Sequence, residues 1–257
     1  MNKLWFLLRY LNYYIKAKTM HGVHPPFLFH LVTDVINNNK KHSEYHIAES
    51  LRTTLLNNNK EIYCEDFGTG VSSIRTISSI AKNSAKPPRY AQLLFRLVKE
   101  LKPDTIIELG TSLGVSTTYM ALASPETRII TIEGSKKIAD IAKDNFIKNN
   151  LNNIEVINNK IDDVLLNILN ANKKIDLMFF DGNHRKQATI NYFEQCLPSH
   201  HNDTVFIFDD IHWSKEMEEA WEHIIANSEV TLSIDLFFLG IVFFRKGLSK
   251  ENFLIRF

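Results

Sequence analysis

Two glycines and two glutamates are spaced in a way that suits a nucleotide-like ligand. The stretch "ELGTSLGVST" covers Glu108–Thr117, and Glu133 ends the next apolar run, 23 residues after Gly110. Glycine lets the backbone approach a ligand closely. An acidic residue about 20 residues after such a loop can accept hydrogen bonds from a ribose. The spacing therefore predicts a cofactor loop that contains Gly110 and Gly114.

The pattern of this loop narrows the class of cofactor. It reads E-x-G-x-x-x-G-x-S, which is neither the glycine pattern of dinucleotide sites nor that of phosphate loops, and no lysine stands where a triphosphate would need one. A cofactor without phosphates fits better, and S-adenosylmethionine offers an amino-acid end, a ribose and an adenine. We expect Glu133 to hold both ribose hydroxyls. Glu108 would order the loop or meet the ammonium group through water.

A second glycine stretch, "EDFGTG" at Glu65–Gly70, competes for the same role. The same count from Gly68 arrives at Pro87 and Pro88, and two adjacent prolines are incompatible with a strand inside a sheet. We therefore assign the cofactor to the later loop. The earlier stretch is interpreted either as a turn before a helix or as part of a lid over the pocket.

The elements that must position these residues alternate along the second half of the chain. Apolar runs predict five strands with helices between them, and this alternation is typical of a parallel sheet covered by helices. Two further strands follow each other without a helix, which predicts an antiparallel hairpin at a sheet edge. The fold class is α/β, a doubly wound Rossmann-like sheet of seven strands. The predicted strands are Thr105–Leu109, Arg128–Glu133, Ile154–Asn158, Ile175–Asp181, Thr204–Asp210, Glu229–Asp235 and Phe238–Lys246, and the helices between them are Val115–Ala123, Lys136–Asn149, Asp162–Leu169, Lys186–Cys196 and Ser214–Asn227.

The first part of the chain has helical periodicity, so we predict a helical extension over residues 1–86 and a cofactor-binding domain over residues 87–257. Near the start, apolar residues recur at helical spacing: Leu4, Leu7, Leu8, Leu11 and Ile15. Such a stripe more often docks on the protein's own core or on a second subunit than on a membrane surface. The extension is therefore expected to serve as a lid or to join two copies in a homodimer. The apolar run is too short for a transmembrane segment.

Composition excludes several function classes. The chain has 257 residues, 44% of them hydrophobic, and its net charge of +1 comes from 30 basic and 29 acidic residues. No bulk field would draw it to nucleic acid, so no nucleic-acid partner is expected. Cys64 and Cys196 do not form a Cys-x-x-Cys motif, which argues against a disulfide framework and indicates a reducing, cytoplasmic location.

Taken together, these motifs resemble those of class I S-adenosylmethionine-dependent methyltransferases. The resemblance covers residues 87–245 and rests on "IIELGTSLGVST", "IITIEG", "DLMFFDGNH" and "VFIFDDIHW" in this order. It implies a cofactor site formed by Glu108, Gly110, Thr111, Ser112, Gly114, Ser116, Glu133, Gly134 and Asp181. The segments "HGVHPPF" and "DFGTG" also resemble bacterial methyltransferase-like proteins whose substrate is not known.

The motifs "FFDGNH" and "FDDIHW" are most similar to those of catechol-type small-molecule O-methyltransferases. That resemblance implies a divalent cation, Mg²⁺ being one candidate, held by Asp181, Asp209 and Asp210, although the family has Asn at the last position. It also places His184 where the family has a lysine that acts as the base. An imidazole titrates near neutral pH and can accept a hydroxyl proton. His212 is the competing candidate for the base.

The predicted function is methyl transfer from S-adenosylmethionine to an oxygen of a small hydroxylated molecule. Two alternatives stay open at this point. One is a protein that binds S-adenosylmethionine without transferase activity, and the other is a methyltransferase that acts on nucleic acid. The identity of the methyl acceptor is not encoded in any motif that we recognise.

Overall fold

The computed structural model describes residues 3–19, 26–65, 72–247 and 249–257 of the chain. The stretch at residues 66–71, which holds most of the earlier glycine stretch, lies outside the described residues, so its role stays a prediction. Among the described residues, no helix combines the length and the apolar character needed to cross a membrane.

The α-helices in the described residues are numbered in chain order. They are α1 (Lys3–Lys16), α2 (Pro26–His30), α3 (Tyr45–Leu56), α4 (Ile77–Ser84), α5 (Pro88–Leu101), α6 (Val115–Ala123), α7 (Lys136–Lys148), α8 (Ile161–Ala171), α9 (Lys186–Cys196) and α10 (Lys215–Ala226). A π-helical segment, Leu31–Ile36, continues α2, and a short 3-10 turn, Leu197–Ser199, follows α9.

The strands are numbered in the same way. They are β1 (Glu61–Cys64), β2 (Ser73–Thr76), β3 (Thr105–Leu109), β4 (Arg128–Glu133), β5 (Ile154–Asn158), β6 (Leu177–Phe180), β7 (Val205–Asp209), β8 (Leu232–Asp235), β9 (Leu239–Phe243) and β10 (Glu251–Leu254). Strands β1 and β2 form an antiparallel pair, and the other eight strands belong to one mostly parallel sheet. The predicted α/β, doubly wound Rossmann-like class is confirmed.

Local sequence accounts for these elements. Every residue of β6 and β7 is buried, as expected for strands covered by helices on both faces. Helix α5 begins at Pro88, whose missing N–H costs nothing in the first turn. It ends at Leu101, and the next residue, Lys102, caps it in a left-handed conformation with φ +48°. Helices α6 and α9 have the predicted bounds.

The sheet has one strand more than the seven predicted. Strand β10 pairs parallel with β8, so β10, and not the predicted hairpin, lies at this edge. The hairpin itself is present, because β8 and β9 pair antiparallel with Ile234 opposite Ile241. A second difference lies in the region predicted to be helical, where β1 and β2 pair with Tyr63 opposite Ile74.

The chain forms two compact units. The contiguous unit is residues 39–165 and includes the parallel strands β3, β4 and β5. The two-segment unit joins residues 1–38 to residues 166–257, and its strands lie in the order β10-β8-β9-β7-β6. The boundary that the sequence predicts at residue 86 stays a prediction.

Helix α1 is fastened to the end of the chain inside the two-segment unit. The backbone N–H of Lys18 donates to the Leu254 carbonyl at 2.8 Å, and the N–H of Arg256 donates to the Lys18 carbonyl at 2.9 Å. The Tyr13 hydroxyl donates to the Ile255 carbonyl. The buried ring of Phe237 packs against the Tyr13 ring at 5.3 Å between centroids. Helix α1 therefore docks on the protein's own core through the face that carries Tyr13, whereas the residues of the predicted apolar stripe are all exposed.

Candidate functional site

The predicted cofactor loop joins β3 to α6 in the contiguous unit. Gly110 and Gly114 both have left-handed backbones, with φ +101° and +83°. A Cβ atom on Gly114 would lie 2.5 Å from Cε1 of Phe146, a buried residue of α7. Glycine is therefore needed at this position for two reasons, the backbone conformation and the close approach of α7.

Glu133 lies at the end of β4, as predicted, and is bound to the loop. Its Oε2 accepts a hydrogen bond from the Ser112 backbone N–H at 2.9 Å, and its Oε1 accepts one from the Ser135 N–H at 2.9 Å. Carboxylate oxygens accept hydrogen bonds, including those of hydroxyl groups. The two backbone N–H groups thus orient the Glu133 carboxylate beside the glycine loop.

Glu108 is fully buried beneath the loop. Its Oε2 accepts hydrogen bonds from the Thr117 hydroxyl at 2.5 Å and from the Thr131 hydroxyl at 2.6 Å. The Thr111 hydroxyl lies 2.6 Å from that of Thr131 and joins the same network. This geometry corresponds to the loop-ordering role that was one of the two expected for Glu108.

The other predicted cofactor residues of this unit lie around the same loop. Ser116 is buried in the first turn of α6. The Gly134 carbonyl accepts a hydrogen bond from the Asn158 side chain at 3.0 Å, and Asn158 ends the neighbouring strand. Backbone and side-chain contacts therefore fix both the glycine loop and the turn after β4.

Ser84 is a contact of this loop that sequence reasoning missed. It is the last residue of α4, and its hydroxyl lies 2.7 Å from the Ser112 hydroxyl. Ser112 has a left-handed backbone with φ +47°, which is unusual for a residue with a side chain. No sequence signal links Ser84 to the loop, because two prolines and a whole helix separate them along the chain.

The second group of predicted residues lies in the two-segment unit. Ligand atoms of Asp181, His184 and Asp209 all lie within 4.8 Å of one another. The register of the parallel strands explains the pairing of the carboxylates. Phe180 is opposite Phe208, and each is followed directly by one of the two aspartates. The rings of Phe180 and Phe208 stack with centroids 4.2 Å apart, which fixes the two strands next to each other directly before the aspartates.

Asp210 and Asn183 shape the two loops beside this cluster. Both residues have left-handed backbones with φ +54°. The Asp210 N–H donates to the Phe238 carbonyl at 2.7 Å, and Asp210 is not a member of the cluster of ligand atoms. The Asn183 side chain donates to the Tyr192 hydroxyl at 3.2 Å, which holds the loop that carries His184 against α9. The metal role of Asp210 stays a prediction, and His184 joins the two aspartates instead.

His212, the other candidate base, has both ring nitrogens bound to carboxylates. Its Nδ1 lies 2.9 Å from Oε1 of Glu218, and its Nε2 lies 2.7 Å from Oδ2 of Asp235. Arg9 of α1 also pairs with Glu218, and the imidazole stacks on Phe237 with centroids 5.0 Å apart. Burial alone would lower the pKa of His212, but hydrogen bonding and attraction by Asp235 and Glu218 outweigh it and the pKa is raised. This geometry favours a protonated structural ring over a proton acceptor.

Comparisons with known proteins give the class to which this fold corresponds. Residues 107–211 match the model of a methyltransferase domain. A catechol O-methyltransferase from Niastella koreensis is 29% identical over 136 residues, which is 52% of this chain and 58% of the relative. The match thus spans little more than half of the curated relative's length.

Solved structures give the same answer for the fold. The methyltransferase PaMTH1 of Podospora anserina, solved with S-adenosylhomocysteine, aligns with a TM-score of 0.60 at 13% identity, over 87% of this chain and 99% of the other. An O-methyltransferase from Bacillus cereus, also in complex with S-adenosylhomocysteine, aligns with a TM-score of 0.57 at 24% identity, over 82% and 94%.

The fold is therefore that of the class I S-adenosylmethionine-dependent methyltransferases. Within this class, the resemblance to O-methyltransferases that the motifs indicate is confirmed by the comparisons.

Proposed function

We propose that this protein is a methyltransferase that uses S-adenosylmethionine to methylate an oxygen of a small hydroxylated molecule. The observation that carries the proposal is the Glu133 carboxylate, which the N–H groups of Ser112 and Ser135 orient at the end of β4. A carboxylate that the backbone orients in this way beside a glycine loop suits a ribose with two hydroxyls.

The cofactor supplies a methyl group activated by a sulfonium, so the protein mainly has to align the acceptor and remove one proton. Gly110 lets the backbone approach the cofactor, and Glu108 keeps the loop in shape through Thr117 and Thr131. In the proposal His184 is the base that takes the proton of the acceptor hydroxyl. His212 is assigned a structural role, because both of its ring nitrogens are already bound.

A divalent cation is part of the proposal. Two carboxylates at the ends of paired strands repel each other unless a positive charge lies between them. Asp181 and Asp209 would hold the cation, which would supply a positive charge to the acceptor oxygen when bound. Asp209 is almost completely buried, with 1% of its surface exposed, so it is held in a fixed position.

The test is a calorimetric titration of S-adenosylhomocysteine into the wild-type protein and two variants. Glu133→Ala removes the acceptor of the ribose hydroxyls. A single hydrogen bond to a charged group is worth about 1.5–3 kcal/mol, so the variant should weaken binding at least about 10-fold. The matched control is Glu155→Ala on the neighbouring strand β5, where the exposed glutamate pairs with Arg128 at 2.7 Å. Equal affinities of the two variants would contradict the assignment of the cofactor site.

The partner in this proposal, besides the small-molecule acceptor, is a second copy of the chain. Several apolar side chains of α1 face solvent, and Ile15 is 79% exposed. The full set is Leu4, Leu7, Leu8, Leu11, Tyr14 and Ile15. A contiguous exposed apolar face is a common feature of subunit contacts. We propose that α1 of each copy covers this face in a homodimer.

Light scattering after gel filtration tests the dimer. Leu8→Glu combined with Leu11→Glu should convert the dimer to a monomer, while Leu166→Glu, an equally exposed leucine on α8, should not. A monomeric wild-type protein would contradict this part of the proposal. A cytoplasmic location completes the proposal and is supported by the two buried cysteines, which are not joined in a disulfide.

A further inference from the structure

The ligand cluster in the two-segment unit contains a nitrogen donor as well as oxygen donors. We infer that His184 is a metal ligand and that the cluster prefers a first-row transition-metal ion such as Mn²⁺, Co²⁺ or Zn²⁺ to Mg²⁺ or Ca²⁺. The inference deepens the proposed function by naming the class of its cation, and it makes the His184 nitrogen a ligand of that cation in place of the group that takes the acceptor proton. It rests on the proposed function only for the use of that cation, because metal binding can be measured without methyl transfer.

The first argument is the chemical nature of the ligand atoms in the cluster. Magnesium and calcium ions are bound almost entirely by oxygen, whereas imidazole nitrogen suits zinc, iron, copper and nickel, and carboxylates extend the range to manganese. A cluster of one imidazole and two carboxylates therefore favours ions that accept both donor types. Since Asp210 is not in the cluster, the third donor that the structure supplies is the nitrogen of His184.

The second argument is the distance between two of these ligand atoms. Nε2 of His184 lies 3.7 Å from Oδ1 of Asp181, beyond hydrogen-bonding distance. Two ligands at about 2.1 Å from one ion, at angles of about 90–110°, are about 3.0–3.4 Å apart. The pair is thus within about half an ångström of the spacing that a shared transition-metal ion requires. The His184 side chain is 31% exposed, so it can make this small movement.

The third argument is the burial of the two carboxylates. Asp209 is 1% exposed, and the side chain of Asp181 is 13% exposed, so both carboxylates are largely removed from water. A positive charge beside buried neighbouring carboxylates offsets part of the cost of their burial. A protonated His184 could supply that charge without a metal, and this is the competing explanation that the experiment has to exclude.

The experiment uses the full chain, freed of metal with EDTA and then titrated with Mn²⁺ or Mg²⁺. We expect Mn²⁺ to bind at least about tenfold more tightly than Mg²⁺. Pulsed electron paramagnetic resonance of the Mn²⁺-loaded protein should show modulation by a directly bound imidazole nitrogen. His184→Gln should abolish this nitrogen signal and weaken Mn²⁺ binding at least about tenfold, with little change for Mg²⁺.

The matched control is His201→Gln in the same unit. The His201 side chain is 28% exposed and its Nε2 lies 3.0 Å from Asp176, so it resembles His184 in exposure and in having an acidic neighbour. This variant should keep both the nitrogen signal and the Mn²⁺ affinity. Circular dichroism of both variants checks that they are folded, and Asp181→Asn, which should also weaken Mn²⁺ binding, gives a second test of the same cluster.

Three results would overturn the inference: no Mn²⁺ binding, equal affinity for Mn²⁺ and Mg²⁺, or an unchanged nitrogen signal in His184→Gln. A titration of S-adenosylhomocysteine in the same samples separates this failure from failure of the proposed function. Loss of metal selectivity with intact S-adenosylhomocysteine binding contradicts only the inference. Selective Mn²⁺ binding without S-adenosylhomocysteine binding contradicts only the proposed function.

Discussion

Replacing Gly114 by alanine should destabilise the protein through two separable effects. The first is the backbone, because φ +83° is a left-handed conformation that costs a residue with a Cβ about 1–2 kcal/mol. The second is the clash of that Cβ with Cε1 and Cζ of Phe146 at 2.5 and 2.6 Å. Overpacking of this kind costs about 1–3 kcal/mol. Together they predict a loss of about 2–5 kcal/mol in the free energy of unfolding.

Gly247 provides a matched control for the backbone effect. It also has a left-handed backbone, with φ +86°, but an added Cβ there would meet nothing within 4 Å. Gly247→Ala should therefore cost only the backbone share, about 1–2 kcal/mol. The difference between the two variants isolates the contact with Phe146.

Urea unfolding followed by circular dichroism measures both variants under the same conditions. A third variant, Phe146→Leu in the Gly114→Ala background, removes the ring atoms that the new Cβ would meet. The effects of the two substitutions should therefore be less than additive. If Gly114→Ala and Gly247→Ala lose the same stability, the close approach of α7 does not require glycine and the reasoning is refuted.

Three further predictions concern single side chains. His212→Ala should lower stability by about 3–5 kcal/mol, because two carboxylates lose their shared partner. Since burial lowers the pKa of His212 but the carboxylates raise it above the ordinary 6.5, this contribution is complete below pH 6.5 and is lost as pH rises through the raised pKa. The gap between wild type and variant in urea unfolding should therefore narrow at alkaline pH, and a constant gap would contradict a protonated ring. Thr117→Val removes a hydrogen-bond donor to the buried Glu108 and should lower the free energy of unfolding by about 1.5–3 kcal/mol in the same assay. An unchanged free energy of unfolding would show that the Glu108 carboxylate does not need this donor. Ser84→Ala should weaken S-adenosylhomocysteine binding by less than about tenfold in calorimetry, and unchanged affinity would show that its contact with Ser112 does not hold the loop.

The elements that sequence predicted well have long apolar patterns with clear ends. Helices α6 and α9 and the strands β3, β4 and β5 have their predicted bounds, because glycine, proline or polar residues flank segments with a recognisable apolar pattern. Strands β1, β2 and β10 are only four residues long, and each has at most one buried residue. Such short, mixed segments have too little period-2 alternation to be distinguished from loops or helix ends.

For the candidate site, too, some features could be predicted from the sequence and others could not. Gly110 and Glu133 could be found from spacing, because the motif lies within one strand–loop–helix–strand segment. For Glu108 the sequence left two roles open, since the choice between them depends on the register that puts this residue opposite Thr131 on the neighbouring strand. The grouping of His184 with Asp209 likewise depends on how two loops are placed after strands that are distant along the chain.

The attachment of α1 to β10 has a consequence for the order in which the protein folds. The hydrogen bonds of Lys18 with Leu254 and Arg256 join residues more than 230 positions apart, so they close a very long loop late in folding. The contiguous unit of residues 39–165 needs no such closure and can form while the ribosome is still adding the remaining residues. The two-segment unit, by contrast, stays incomplete until the last strand has been synthesised. Until then, the apolar face of α1 that packs on Phe237 is exposed to chaperones and to other nascent chains.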